Sequence, residues 1–161
     1  MISSVFPIAW SRLSRLIGMA HLLLLPALVA QEVAAEKPLV GRYVRIESGT
    51  SQEELHFSEL EVFSNNQNIA LRKATSASSI FGDFKPEMAV DGLLEYSWGK
   101  DMSFWSSSAK GGQWWEVDLG KEQPIDRLVF WNRFDCCRER LAGALLVVLD
   151  GQRHPLSLIH I

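Results

Sequence analysis

Apolar and polar positions alternate with a period of two through most of the chain. In Gly41–Glu47, Val44 and Ile46 fall on one face and Tyr43 and Arg45 on the other. In Leu55–Phe63, Leu60 and Val62 oppose Glu59, Glu61 and Phe63. In Trp114–Leu119, Trp115, Val117 and Leu119 oppose Trp114, Glu116 and Asp118. This period marks strands with one wet face. Ile69–Leu71 reads as a short strand and Ile125–Trp131 as another. Leu141–Leu149 is apolar on both faces, as in a central strand buried between layers. Turn residues separate these runs: Asn65-Asn66, then Gly120 and Pro124. The small polar stretch 74–79 reads as a loop. Pro86 suits a first helical position, so one helical turn is expected over 86–90, closed by Asp91-Gly92. Several short strands with turns between them predict an all-β sandwich or barrel.

Both ends depart from this pattern. Arg12 and Arg15 flank an apolar run of 14 residues, Ile17–Ala30, interrupted by Pro26. A spanning helix needs about 20 apolar residues. Residues 1–30 are therefore expected to be a helical signal peptide, cut after Ala30 or Ala35. An uncleaved anchor and a buried helix are the alternatives. At the other end, residues 156–161 (LSLIHI) resemble the translation of a transposon-end sequencing adapter. They are expected not to be native, the alternative being an ordinary terminal strand.

Composition narrows the function classes. The 161 residues carry a net charge of -3 and are 47% hydrophobic, which excludes disorder and a basic nucleic-acid binder. Residues 31–155 alone hold 14 Lys+Arg and 19 Asp+Glu, a charge of -5. An acidic exported domain suits neutral or cationic partners better than phosphate or anionic lipid. No nucleic-acid partner is expected, and no membrane insertion after signal cleavage.

Residues 69–150 carry an ordered set of markers. They are Asn68-Ile69-Ala70-Leu71, the loop 74–79, Ala89-Val90-Asp91-Gly92, Trp105-Ser106-Ser107, Gln113–Gly120 and Asn132–Leu141. Together they resemble the discoidin-like, coagulation factor 5/8 type C domain, a galactose-binding-like jelly-roll β-sandwich. The segment Arg133-Phe134-Asp135-Cys136-Cys137-Arg138-Glu139-Arg140 is close to the sugar-binding signature of the F-type, fucose-binding lectins. In that family the equivalent of 41–63 closes the sandwich from the C-terminal end. Here it comes first. It is expected either to be the tail of a lost repeat or to close this sandwich from the N-terminal side. The domain is expected to span 41–155, with an incomplete C-terminal side that leaves Leu141–Leu149 less covered. The resemblance further implies an N-terminal piece of a longer secreted bacterial protein.

The resemblance implies a site. Arg133 and Arg140 match the family arginines that grip sugar hydroxyls, a role suited to the rigid donor fork of guanidinium. Asp135 and Glu139 are candidates to hold them. The alternative is a charged surface turn. Adjacent Cα atoms lie ~3.8 Å apart, short of the ~4.4–6.8 Å of ordinary disulfides. Free thiols or a metal-ligand pair therefore stay open for Cys136 and Cys137. The resemblance implies a vicinal disulfide between them that packs against the sugar. The family His upstream of the first arginine falls on Ser106–Ser108, and Ser107 takes its place as a candidate. Trp98, Phe104 and Trp105 are candidate stacking surfaces, with a packing role as the alternative. A structural calcium is also implied, held by Asp91, Glu59 and Ser58 and by the carbonyls of Met88 and Leu93. The alternative for Asp91-Gly92 is a helix-ending turn.

The expected function is an extracytoplasmic lectin-like module. It would bind a glycan or glycoconjugate and target a longer protein to it. No catalysis is expected here, because no credible nucleophile–His–carboxylate set is visible. The alternative is a structural or protein-binding sandwich without sugar binding.

Overall fold

The computed structural model describes residues 4–6, 38–49, 53–94 and 102–161. The proposed signal peptide lies outside the described residues except for 4–6, and so does Trp98. The strands are β1 (Ser4–Phe6), β2 (Leu39–Glu47), β3 (Glu54–Phe57), β4 (Glu59–Ser64), β5 (Gln67–Asn68) and β6 (Ala74–Ala77). They continue with β7 (Trp105–Lys110), β8 (Trp114–Ile125), β9 (Arg127–Trp131), β10 (Leu145–Leu149) and β11 (Pro155–His160). Short 3-10 helices span Pro86–Val90 and Arg138–Leu141.

The strands form two antiparallel sheets, ordered β1-β9-β4-β5 and β11-β10-β2-β8-β6, plus the ribbon β3-β7. The core holds alternate residues of each strand, as period-two patterning requires: Val44 and Ile46, Leu60 and Val62, Trp115 and Val117, Leu128 and Phe130, Leu146 and Val148. Phe57 lies at its centre, with ring centroids 5.7 Å from Trp105, 5.1 Å from Trp115 and 5.0 Å from Phe130. Burying each such side chain stabilises the fold by ~1.5–3 kcal/mol.

The strand pair at 41–63 closes this sandwich from its N-terminal side. β2 lies between β10 and β8, and β4 lies between β9 and β5. β10 accordingly has a neighbour on each edge, and Leu146–Leu149 are buried. β11, which includes residues 156–160, supplies the outer edge. In β11, Ser157 and Ile159 are partly buried while Leu156 and Leu158 are exposed; Ile159 and, just past the strand, Ile161 pack against the core.

Two local expectations shift. Residues 74–77 are a strand, not a loop, because Ala74–Ala77 pair with β8 along its free edge. The strand expected at 69–71 is a bend. The carboxamide oxygen of Asn68 accepts from the backbone of Val62 and Ala70, and Arg72 takes a positive φ of 55°. The helical turn at 86–90 forms as expected, with Pro86 opening it and Gly92 at φ 85° beyond its end. Trp115 Nε1 donates to the Pro86 carbonyl at 3.0 Å, which ties that turn to the core.

Candidate functional site

The loop after β9 is shaped by its own polar side chains. Asn132 accepts from Arg133 N at 2.7 Å and donates to the Arg138 carbonyl at 3.1 Å. Cys136 and Cys137 are disulfide-bonded, with Cα atoms 3.8 Å apart. Cys137 takes a left-handed φ of 59° and leads directly into the helix Arg138–Leu141. The loop therefore sends Arg133 and Arg140 toward one place.

Arg133 is held on several sides. Nε and Nη2 donate to the two carboxylate oxygens of Asp135, at 2.9 and 2.6 Å. The Asp135 side chain is 0% exposed and that of Arg133 13%. Such a bidentate pair fixes the guanidinium plane as well as its position. Its carbon lies 4.1 Å from the centre of the Phe104 ring, a cation–π contact. Phe104 stacks on Phe84 at 4.1 Å, and Phe84 on Phe81 at 6.3 Å. Arg140 pairs with Glu54 at 3.0 Å. Glu139 was the partner expected for Arg140, but β3 brings Glu54 closer. The Glu54 carboxylate is held below its ordinary pKa, foremost by its own backbone N–H and then by Lys110 and Arg140, against desolvation.

These groups line one cavity of about 280 Å³, bounded by Glu54, Phe81, Phe84, Met102, Phe104, Ser106, Arg133 and Arg140. It combines fixed charged donors with an aromatic wall, which is the chemistry a hydroxylated ring requires. The aromatic wall is phenylalanine. Trp105 is fully buried in the core and donates from Nε1 to the Ser79 carbonyl at 3.3 Å. Trp115 is likewise core, while Trp114 lies under the Arg45 guanidinium at 4.7 Å.

Ser107 does not take the place of the family His. It is fully buried, accepts from Leu55 N at 2.9 Å and donates to the Ala109 carbonyl at 2.9 Å. Its hydroxyl joins β3 to β7 and does not face the cavity; Ser106 does. A histidine nevertheless reaches the site from elsewhere. His56 on β3 is fully buried, with Nδ1 3.0 Å from Arg133 Nη1 and Nε2 3.1 Å from the Cys137 carbonyl. Burial lowers its pKa, and the Arg133 and Arg140 charges add to this against the Cys137 carbonyl and Asp135. Sequence reading passed over His56 because it precedes Arg133 by 77 residues. The one available signal was its same-face spacing from Glu54 on a strand.

A second cluster lies where β4 meets the helix Pro86–Val90. Glu59 is fully buried, and its Oε1 accepts from Gly92 N at 3.0 Å. Its Oε2 and the Ser58 hydroxyl are buried without a hydrogen-bond partner. Burial is the main reason its pKa is pushed up to about 8. Asp91 accepts from Leu93 N at 2.8 Å and from the Ser103 hydroxyl, whose oxygen lies 3.3 Å from the Met88 carbonyl oxygen. Among the described residues no three His, Cys, Asp or Glu side chains gather as a metal site. Two carboxylates with carbonyl and hydroxyl oxygens, one carboxylate oxygen left without a partner, still suit a hard cation.

Comparison with known proteins shows what part of this chain resembles. Residues 88–155 match the NedA-like galactose-binding domain of the F5/F8 type C group. Fucolectin-6 of Anguilla japonica is 33% identical over 96 residues, covering 56% of this chain and 50% of that protein. Fucolectin-3 of the same eel is 31% identical over 87 residues, 51% of this chain and 47% of its own. The Fucolectin of Anguilla anguilla is 33% identical over 84 residues, 48% of this chain and 52% of its own. The chain thus spans about half the length of the curated relatives it matches. No solved structure matches it.

Proposed function

We propose that this chain, which carries a discoidin-like domain related to the fucolectins, is a carbohydrate-binding, lectin-like module. The observation that carries the reading is the pair of restrained arginines, Arg133 and Arg140, lining one cavity beside Phe104. Their donors would grip vicinal hydroxyls while the phenylalanines cover the apolar face of the ring. Asp135 holds Arg133 in place. The role is binding and not catalysis; its setting is extracytoplasmic, where it would bring a longer protein to a glycan.

The test is binding of the chain to immobilised fucosylated and galactosylated neoglycoproteins. Removing a charge-assisted donor costs ~1.5–3 kcal/mol, so Arg133→Ala and Arg140→Ala are each expected to raise Kd roughly ten- to hundredfold. A wild-type chain that binds no glycan, with or without calcium, favours a protein-binding or structural sandwich instead.

The second cluster supports a structural calcium. Asp91, Glu59 and the Met88 carbonyl would hold it, with Ser58 and the Leu93 carbonyl completing the set. A divalent cation there would supply the charge that the unpartnered Glu59 oxygen lacks, and would hold the helix Pro86–Val90 against β4. Calcium is expected to raise Tm of the wild-type chain and to leave Tm of Glu59→Gln and Asp91→Asn unchanged. Equal shifts in all three would remove calcium from the reading.

A further inference from the structure

Strand β3 belongs to the pair that precedes the matched domain, and its side chains reach the arginines of the loop after β9. We infer that Glu54 and His56 are positioning residues: β3 is the element that sets the orientation of both arginines of the cavity. This rests on the carbohydrate-binding reading of the same site and extends it to residues outside the matched 88–155 stretch.

Glu54 and His56 are two residues apart on one strand, so they point to the same face. Glu54 takes Arg140 at 3.0 Å. His56 takes Arg133 at 3.0 Å. The chemistry of the partners fixes the state of the ring. A guanidinium only donates and a carbonyl only accepts. Nδ1 must therefore accept from Arg133, and Nε2 must carry the hydrogen donated to the Cys137 carbonyl at 3.1 Å. His56 is thus a neutral imidazole of one tautomer, bridging the arginine and the backbone of the disulfide pair. It is fully buried and is not among the residues that bound the cavity, whereas Arg133 is. β3 is itself fixed beside β7 by the bond from Leu55 N to Ser107 Oγ at 2.9 Å. Asp135 holds one edge of the Arg133 guanidinium, and His56 holds Nη1. With both in place the plane cannot swing about the Asp135 edge.

Two substitutions separate positioning from mere packing. An asparagine carbonyl reproduces the acceptor at Nδ1, whereas a leucine fills the space and reproduces neither bond. His56→Leu is expected to weaken binding to fucosylated or galactosylated neoglycoprotein at least about tenfold. His56→Asn is expected to recover most of that loss. Glu54→Gln is expected to weaken binding through Arg140. If His56→Asn and His56→Leu bind equally, the positioning role is overturned. The ring is also read directly, by ¹⁵N NMR of the imidazole in the unliganded full chain. A proton on Nε2 and an acceptor Nδ1 are expected; the opposite tautomer overturns the proposal. A wild-type chain that binds neither sugar would overturn the lectin reading, and the tautomer would then still decide the His56–Arg133 contact.

Discussion

At the residue scale, the charged side chains divide into those that build the cavity and those that fasten the sheet. Arg42 and Asp118 belong to the second kind. Nε and Nη2 of Arg42 donate to Asp118 at 2.9 and 2.8 Å across β2 and β8. The Asp118 pKa is lowered, foremost by this bond, with Gly120 N and the Arg42 charge adding to it against desolvation. A carboxylate whose pKa is lowered in the folded state contributes stability above its unfolded pKa, about 4, and loses it as pH falls through the folded value. Tm of the wild-type chain is therefore expected to exceed that of Asp118→Asn at pH 6, and the gap to close on acidification below pH 4. Thermal denaturation of both chains across that range is the measurement. A gap that persists at the lowest pH would assign the effect to packing.

At the element scale, β3 pairs with β7 and is joined to it further by the buried bond from Leu55 N to Ser107 Oγ. Ser107→Ala would leave the buried Leu55 N–H without its acceptor, an expected loss of ~1–3 kcal/mol in urea unfolding. Sugar binding by that variant is expected to weaken as well, since β3 carries Glu54 and His56, which contact Arg140 and Arg133. The strands of the sandwich were legible because their alternation is what burial on one face demands. Val44, Ile46, Trp115 and Val117 could be assigned to the core from spacing alone. Arg133, Asp135 and the cysteine pair were legible because they lie in one short segment that resembles a family signature. Glu54 and His56 were not, since their function depends on strand neighbours distant in sequence. Ser107 misled for the same reason: its position matched, but the strand beside it claimed the hydroxyl. The strand at 74–77 was missed because its small polar residues carry no apolar face. It forms because β8 offers an edge.

At the scale of the whole molecule, the N-terminal placement of β2 and β4 governs stability. Removing residues 38–64 would take a central strand from each sheet. The shortened chain is expected to show no cooperative thermal transition by circular dichroism, whereas retention of one would mean that the rest of the sandwich closes without them. A subtler probe lies where the end of β2 meets the turn before β10. A Cβ on Gly49 would lie 1.8 Å from the Gly143 carbonyl oxygen, a backbone atom. Gly49→Ala is expected to cost ~1–3 kcal/mol, measured by urea unfolding, because the two segments must move apart.

The same placement decides when the cavity comes into being. His56 and the Cys137 carbonyl are 81 residues apart, and Arg42 and Asp118 are 76 apart. At synthesis rates of ~5–20 residues per second, Glu54 and His56 leave the ribosome several seconds before Arg133 and Arg140. β2 waits with Val44 and Ile46 uncovered and without either flanking strand. Closing such long loops draws on entropy before any contact repays it, which makes folding slow for the chain's size. A nascent chain of this design has to stay extended until its last strands arrive. That delay is compatible with export in an unfolded state and hazardous for folding at the site of synthesis.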